Sequence, residues 1–319
     1  MFNLKQIVRG IIAFVVYVFI LISLFVYIGN NADIMQRIFS SQLEYVIYGV
    51  ICSGISVILT GLMEVYCVRV YGVNLKCLDA VGITFIASAC NLFLPFQGGS
   101  IMKAMYLKRT VALAYSKYIS IVSGTIVVNC FVILFQLMIS SLFFMYEKNI
   151  QNIYILFLGG VILFFMYVFV ICAFLKHKKI MLNIIPFKRI FIPILESFCK
   201  FLEDKRVLFC VISKFVFSAF LGGISFYFTF LMLGYDSTVF SSMLYYAVYT
   251  ASTVIPILPG NVGISEFFVG MLNSIFVDGF AAGVTLVLIT RVYYYIVSVM
   301  GASMFLLPIW RRYILTKEE

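Results

Sequence analysis

The chain of 319 residues is 64% hydrophobic and only 11% charged, against roughly 25% charged in an ordinary soluble domain. That balance excludes a water-soluble fold, because no such fold could hide so much apolar surface. The formal net charge of +10 informs mainly through the positions of the basic residues, since lysine and arginine collect on the cytoplasmic side of membrane helices.

The first apolar run, Ile11 to Ile28, reaches the length of about 20 residues that a helix needs to cross roughly 30 Å of hydrocarbon. Lys5 and Arg9 precede it as in a signal peptide, but the run is too long. No small-residue cleavage site follows before Asn30 and Asn31, so it reads as the first helix. Comparable runs recur along the chain. A barrel would need short alternating segments, whereas these are continuous, so each span must satisfy its own backbone as a helix. The expected class is an all-α polytopic membrane protein, a single membrane domain over 1–319 with no soluble domain. Full spans are predicted at 10–28, 45–63, 118–145, 153–175, 207–233 and 281–307.

Charge limits the topology. Basic residues cluster before the first span (Lys5, Arg9), after the second (Arg69, Lys76), in 97–117 (Lys103, Lys108, Arg109, Lys117), in 176–206, and at the end (Arg311, Arg312, Lys317). If 78–96 crossed the membrane, the last three of these clusters would fall on the wrong face. The economical reading is that 78–96 enters from the cytoplasm, breaks at Pro95-Phe-Gln-Gly98-Gly99 and returns, since Pro and Gly stop a helix and permit a tight turn. A second apolar region, 239–257, is interrupted by Pro256-Ile-Leu-Pro259-Gly260-Asn261-Val-Gly263. It is followed by an apolar stretch, 264–277, too short for a comfortable span. With both regions as re-entrant hairpins, the chain reads as two units of one plan, 1–150 and 151–310. The first starts inside and the second outside, the inverted-repeat arrangement of many transporters. Both termini are then cytoplasmic, in a bacterial-type inner membrane.

Ionisable residues within spans or hairpins are functional hypotheses by default. Glu64 and Lys214 lie close enough to the cytoplasmic ends to snorkel and read as structural. Arg291 stands about ten residues, roughly 15 Å of rise, into the last span. Glu266 opens the short helix after Gly263, where free N–H groups favour an anion. It either satisfies that helix start or pairs with Arg291 and exchanges partners with a lipid head group. Lys103 is close enough to the Gly98-Gly99 break to reach a phosphate, whereas Lys108 and Arg109 read as topology determinants. The eight cysteines form no Cys-x-x-Cys pair and read as small core residues. His177, the single histidine, lies outside any span, which argues against a zinc site or a histidine-based triad, and no metal, cofactor or nucleic-acid partner is expected.

Three patches, Pro95-Phe-Gln-Gly-Gly-Ser-Ile-Met-Lys103, Leu258-Pro-Gly-Asn-Val-Gly-Ile-Ser-Glu266, and Arg291-Val-Tyr-Tyr-Tyr with Gly301 ten residues on, resemble the flippase-like membrane family that includes the transmembrane region of lysylphosphatidylglycerol synthases. They span most of the chain. The resemblance implies lipid translocation or head-group handling. Two departures bear on it. The family usually shows Arg where this chain has Lys103, which keeps the charge but loses bidentate phosphate geometry. The synthases also carry a soluble transferase domain after the membrane part, and only nine residues follow Trp310 here, so lysyl transfer is not expected. The leading expectation is a transporter of a phospholipid or polyprenyl-phosphate-linked head group. No Gly-x-x-x-x-Gly-Lys-Ser/Thr loop occurs, so energy would come from an ion gradient, a partner or downhill movement. The alternatives are a membrane lipid-modifying transferase, and a membrane subunit that docks a partner synthase through the basic 176–206 segment.

Overall fold

The computed structural model describes residues 42–94, 98–148, 153–176, 188–254, 261–276 and 279–315, together with Val26 and Gln36. The span expected at 10–28, and the break residues Pro95, Pro259 and Gly260, lie outside the described residues. Among the described residues the chain forms ten helices and no strand: α1 (Leu43–Arg69), α2 (Cys77–Phe93), α3 (Gly98–Val111), α4 (Tyr115–Lys148), α5 (Ile153–Lys176), α6 (Lys188–Glu203), α7 (Lys205–Met232), α8 (Val239–Thr253), α9 (Ile264–Phe276) and α10 (Phe280–Leu315).

Helices α1, α4, α7 and α10 are long and apolar enough to cross a membrane by length and composition, and α5 falls on the stretch expected at 153–175. Their outward faces have the stripe that hydrocarbon selects. On α1, Ile47, Ile51, Ile55 and Ile58 stand exposed at helical spacing, and on α10 Ile296, Met300, Met304 and Leu307 do the same. In water such faces would collapse on one another; in a bilayer they are the solvated surface.

Two pairs of short helices double back on themselves. In the first, α2 and α3 run antiparallel, and the Gly99 N–H donates to Asn91 Oδ1 at 2.8 Å. A Cβ on Gly99 would stand 1.9 Å from the Ala87 carbonyl oxygen, so only glycine permits this approach of the two backbones. In the second, Tyr245 Oη on α8 donates to Asn273 Oδ1 on α9 at 3.1 Å, and Asn273 Nδ2 donates to the Gly279 carbonyl at 2.8 Å, which fixes the entry to α10.

The two hairpins open towards opposite ends of the bundle. The start of α2 and the end of α3 lie beside the end of α10, through the Arg312–Asp79 ion pair and Arg109 stacked over the Tyr313 ring at 4.1 Å. The turn after α1 joins the same end: Tyr71 Oη donates to the Ser197 carbonyl at 2.8 Å, and Lys117 and Lys200 approach its ring. Basic residues from 103–117, 188–206 and 311–312 therefore share one end with the C-terminus of α1. The start of α8 and the end of α9 meet the far end of α4, where Phe143 stacks on Phe240 and Phe144 meets Phe276 edge-on. Each hairpin also has its own apolar core, one built on Val68, Ile83, Leu107 and Phe201, the other on Phe226, Leu244, Val269 and Leu286. Val57, Val81, Phe85 and Val297 join α1, α2 and α10 in a third.

One element departs from the expectation. Residues 188–203, taken in sequence as part of a basic loop, form the helix α6 despite Pro193. Ile194, Leu195, Phe198, Phe201 and Leu202 recur at helical spacing, and Phe201 is fully buried against Gly124 of α4. Its charged residues Glu196, Lys200 and Glu203 remain outside, the division expected of a helix lying along a membrane surface.

Candidate functional site

The chain between the two arms of the second hairpin turns through Asn261 and Gly263, both with positive φ (53° and 91°), a conformation that glycine adopts freely and asparagine tolerates. Helix α9 starts at Ile264, so Glu266 falls in its first turn. Its Oε2 accepts from the Gly263 N–H at 2.8 Å and from Ser265 Oγ at 3.1 Å. This is the carboxylate half of a capping box, in which an acid in the first turn reaches back to a free backbone donor.

Glu266 has a second role. Arg291, from the middle of α10, places Nε 2.6 Å from Glu266 Oε1 and Nη2 3.3 Å from Oε2. Nη2 also donates to the Asn261 carbonyl at 3.0 Å and to Ser265 Oγ. The guanidinium thus ties the break, the start of α9 and α10 together. Both side chains are withdrawn from the surface, with relative exposures of 6% and 1%. Buried charges persist in such a place only when paired and hydrogen-bonded. The Asn261 Oδ1 atom is buried with no hydrogen-bond partner among the described residues.

Beside this group lies a cavity of about 220 Å³ between α1, α7, α8 and α10, with Ser56, Ser225, Tyr246, Tyr249, Thr250 and Tyr294 in its wall. Tyr249 lies within electrostatic reach of both Arg291 and Glu266. Ser225 Oγ is buried and without a hydrogen-bond partner among the described residues. Sequence reasoning passed over these hydroxyls because each sits in an apolar run. The signal was there in Tyr246, Tyr249, Thr250 and Thr253, which put a polar stripe along α8 at i, i+3, i+4 and i+7.

The first hairpin carries a second buried pair. Lys103 on α3 meets Glu64 of α1 in an ion pair, and its Nζ donates to Thr84 Oγ1 on α2 at 3.0 Å. Glu64 therefore does not snorkel; at 5% exposure it is enclosed and neutralised from the hairpin. Lys103 keeps a different set of partners from the Arg291 group, and Lys108 lies over the Tyr115 ring at 4.2 Å, away from the break. The two pairs are alike in plan and opposite in sign. The first hairpin supplies the cation to an anionic span, and the second supplies the anion to a cationic one. Of the break residues, Gly98 and Gly99 open α3, and Asn261 and Gly263 lie in the turn that leads into α9. No group of three or more His, Cys, Asp or Glu that could hold a metal ion occurs among the described residues.

No curated protein matches the chain. Residues 8–301, nearly the whole length, match the family described as the lysylphosphatidylglycerol synthase TM region. With that match extending over all ten helices described above save the end of α10, this multi-pass membrane protein belongs to the lysylphosphatidylglycerol synthase transmembrane-region family.

Proposed function

We propose that the chain is a flippase-like transporter that moves the head group of a phospholipid, or of a polyprenyl-phosphate-linked glycan, across a bacterial-type inner membrane. Six full crossings would surround two re-entrant hairpins, related as an inverted repeat, with both termini cytoplasmic. The observation that carries the reading is the buried Arg291–Glu266 pair at the break of the second hairpin, beside a hydroxyl-lined cavity within the apolar bundle. A head group crossing hydrocarbon needs replacement for its water, and a preformed polar site supplies it without charging the lipid tails the same cost.

The chemistry is an exchange of partners. A lipid phosphate takes the Arg291 guanidinium, whose planar fork suits a phosphate. Glu266 retains the Gly263 N–H and the Ser265 hydroxyl while its cation is engaged, and it is the natural site for a coupling proton. Lys103 and Glu64 offer the same exchange at the opposite hairpin, with the cation on the hairpin arm. Cavity hydroxyls accept and donate to the rest of the head group.

Reconstitution into liposomes with head-group-labelled lipids tests the reading. The wild type should equilibrate label between leaflets, and Arg291→Met and Glu266→Gln should each slow it at least tenfold while remaining folded. A chemically modified lipid would instead mark a transferase, and neither outcome would leave a membrane subunit serving a partner synthase; both overturn the transport reading.

A further inference from the structure

We propose that the groove between α1 and α7 is a binding site for one anionic phospholipid, with its phosphate held by Arg69, Arg206 and Lys214 and its tails along Leu62, Phe209 and Phe217. The groove encloses about 950 Å³, at the upper end of the roughly 300–1,000 Å³ of small-molecule sites. It lies apart from the Arg291–Glu266 pair, and its occupancy does not depend on whether the protein transports lipid.

Its charge is predominantly positive, three cations to one carboxylate. Arg69 is in the last turn of α1 and Arg206 in the first turn of α7, so both guanidinium groups stand at the same end of the groove. Lys214 is eight residues further on, about 12 Å of rise, and lines the same groove with its ammonium over the Phe215 ring at 4.1 Å. The carboxylate in the wall, Asp204, is already used as the cap of α7, accepting from the Arg206 N–H at 3.0 Å and the Val207 N–H at 3.2 Å. Among the described residues no carboxylate pairs with any of the three cations. Set against the one Asp204 carboxylate, the three cations leave the wall net positive, which favours an anion.

The rest of the wall says which anion. From the basic end the groove continues along the spanning helices between apolar side chains, and Phe209 is 74% exposed. A soluble anion such as a nucleotide would leave those surfaces unmatched, and an acidic peptide would bring backbone groups into hydrocarbon with nothing to satisfy them. A molecule with one phosphate and apolar tails satisfies both ends at once.

The test uses a reporter inside the groove. Trp310 is the single tryptophan, so the Trp310→Phe/Phe217→Trp variant carries its only indole in the wall. In detergent micelles, phosphatidylglycerol brominated in its tails should quench that indole at lower mole fraction than brominated phosphatidylcholine. The triple variant Arg69→Gln/Arg206→Gln/Lys214→Gln should lose on the order of 100-fold of that preference, and Arg206→Gln alone about one-third of it on a logarithmic scale. Arg69 and Arg206 are exposed and Lys214 is half-buried, so these changes leave the packing intact. Equal quenching by the two lipids, or an undiminished preference in the triple variant, would overturn the proposal. So would absence of quenching, the result expected if residues 1–41 or a second copy of the chain cover the groove.

Discussion

Replacing Arg291 by methionine keeps most of the side-chain volume and removes the cation facing Glu266. The carboxylate left behind is 1% exposed and retains only the Gly263 N–H and the Ser265 hydroxyl as donors in the contacts described above. Breaking a buried ion pair from one side costs about 3–5 kcal/mol, because the remaining charge is uncompensated. Glu266→Gln alone strands the guanidinium, which keeps the Asn261 carbonyl and Ser265, and should cost about 2–4 kcal/mol by the same reasoning. The double variant Arg291→Met/Glu266→Gln has no charge to strand, and the new amide oxygen could still accept from the Gly263 N–H. It should therefore be more stable than the sum of the single losses, with a coupling of about 1.5–3 kcal/mol. Unfolding in mixed micelles, with increasing mole fraction of a denaturing detergent and helix content as the readout, gives the four free energies. Additivity within about 0.5 kcal/mol would refute the reasoning, since it would mean that the pair is already solvated by something else.

A matching cycle on Lys103→Met and Glu64→Gln should also couple, while Lys103→Arg, which preserves the charge, should keep both stability and any transport within about threefold. Gly99→Ala should lower the unfolding free energy by about 1–3 kcal/mol, because its Cβ would overlap the Ala87 carbonyl; Gly159→Ala, with nothing within 4 Å, is the control and should be neutral or slightly stabilising, read by the same detergent titration. A variant retaining only Cys77 should react quickly with a maleimide in the folded state and one retaining only the fully buried Cys67 should not; applied from each side of sealed vesicles, an impermeant maleimide also tests whether Cys77 faces the cytoplasm. Tyr71→Phe should loosen α6 by about 1 kcal/mol through loss of the bond to Ser197. Burial pushes the Tyr71 phenol up to about 12. The fold thus favours its neutral form, and this tie should persist below the ordinary tyrosine value near 10 and weaken as pH rises from there through about 12, followed by proteolysis within 188–203.

Much of the architecture was legible because hydrocarbon imposes simple rules. A continuous apolar run has to be a helix, and its length decides whether it spans, so α1, α4, α5, α7 and α10 were visible as runs. Pro/Gly clusters interrupt such a run visibly, so the bends between α2 and α3 and between α8 and α9 were visible too. Helix α6 was missed because its charges dominated the reading of 188–203, whereas its burial depends on Phe201 finding the gap that Gly124 leaves in α4. Glu64 was misjudged for a similar reason. Distance from a span's end suggested an escape to water, and only the tertiary structure reveals that Lys103 of α3 reaches it.

By itself the sequence determined the solvent of this protein, its helical class and the ionisable residues carried in its spans or hairpins: Glu64, Lys214, Glu266 and Arg291. Each of these follows from the transfer cost of single side chains, which is local. What only the tertiary structure decided is which charge meets which. Arg291 reaches Glu266 across 25 positions of chain and Lys103 reaches Glu64 across 39, and the hydroxyls of four helices converge on one cavity. Those pairings depend on the order in which helices pack, and packing order is a property of side-chain shape summed over the whole bundle rather than of any one segment.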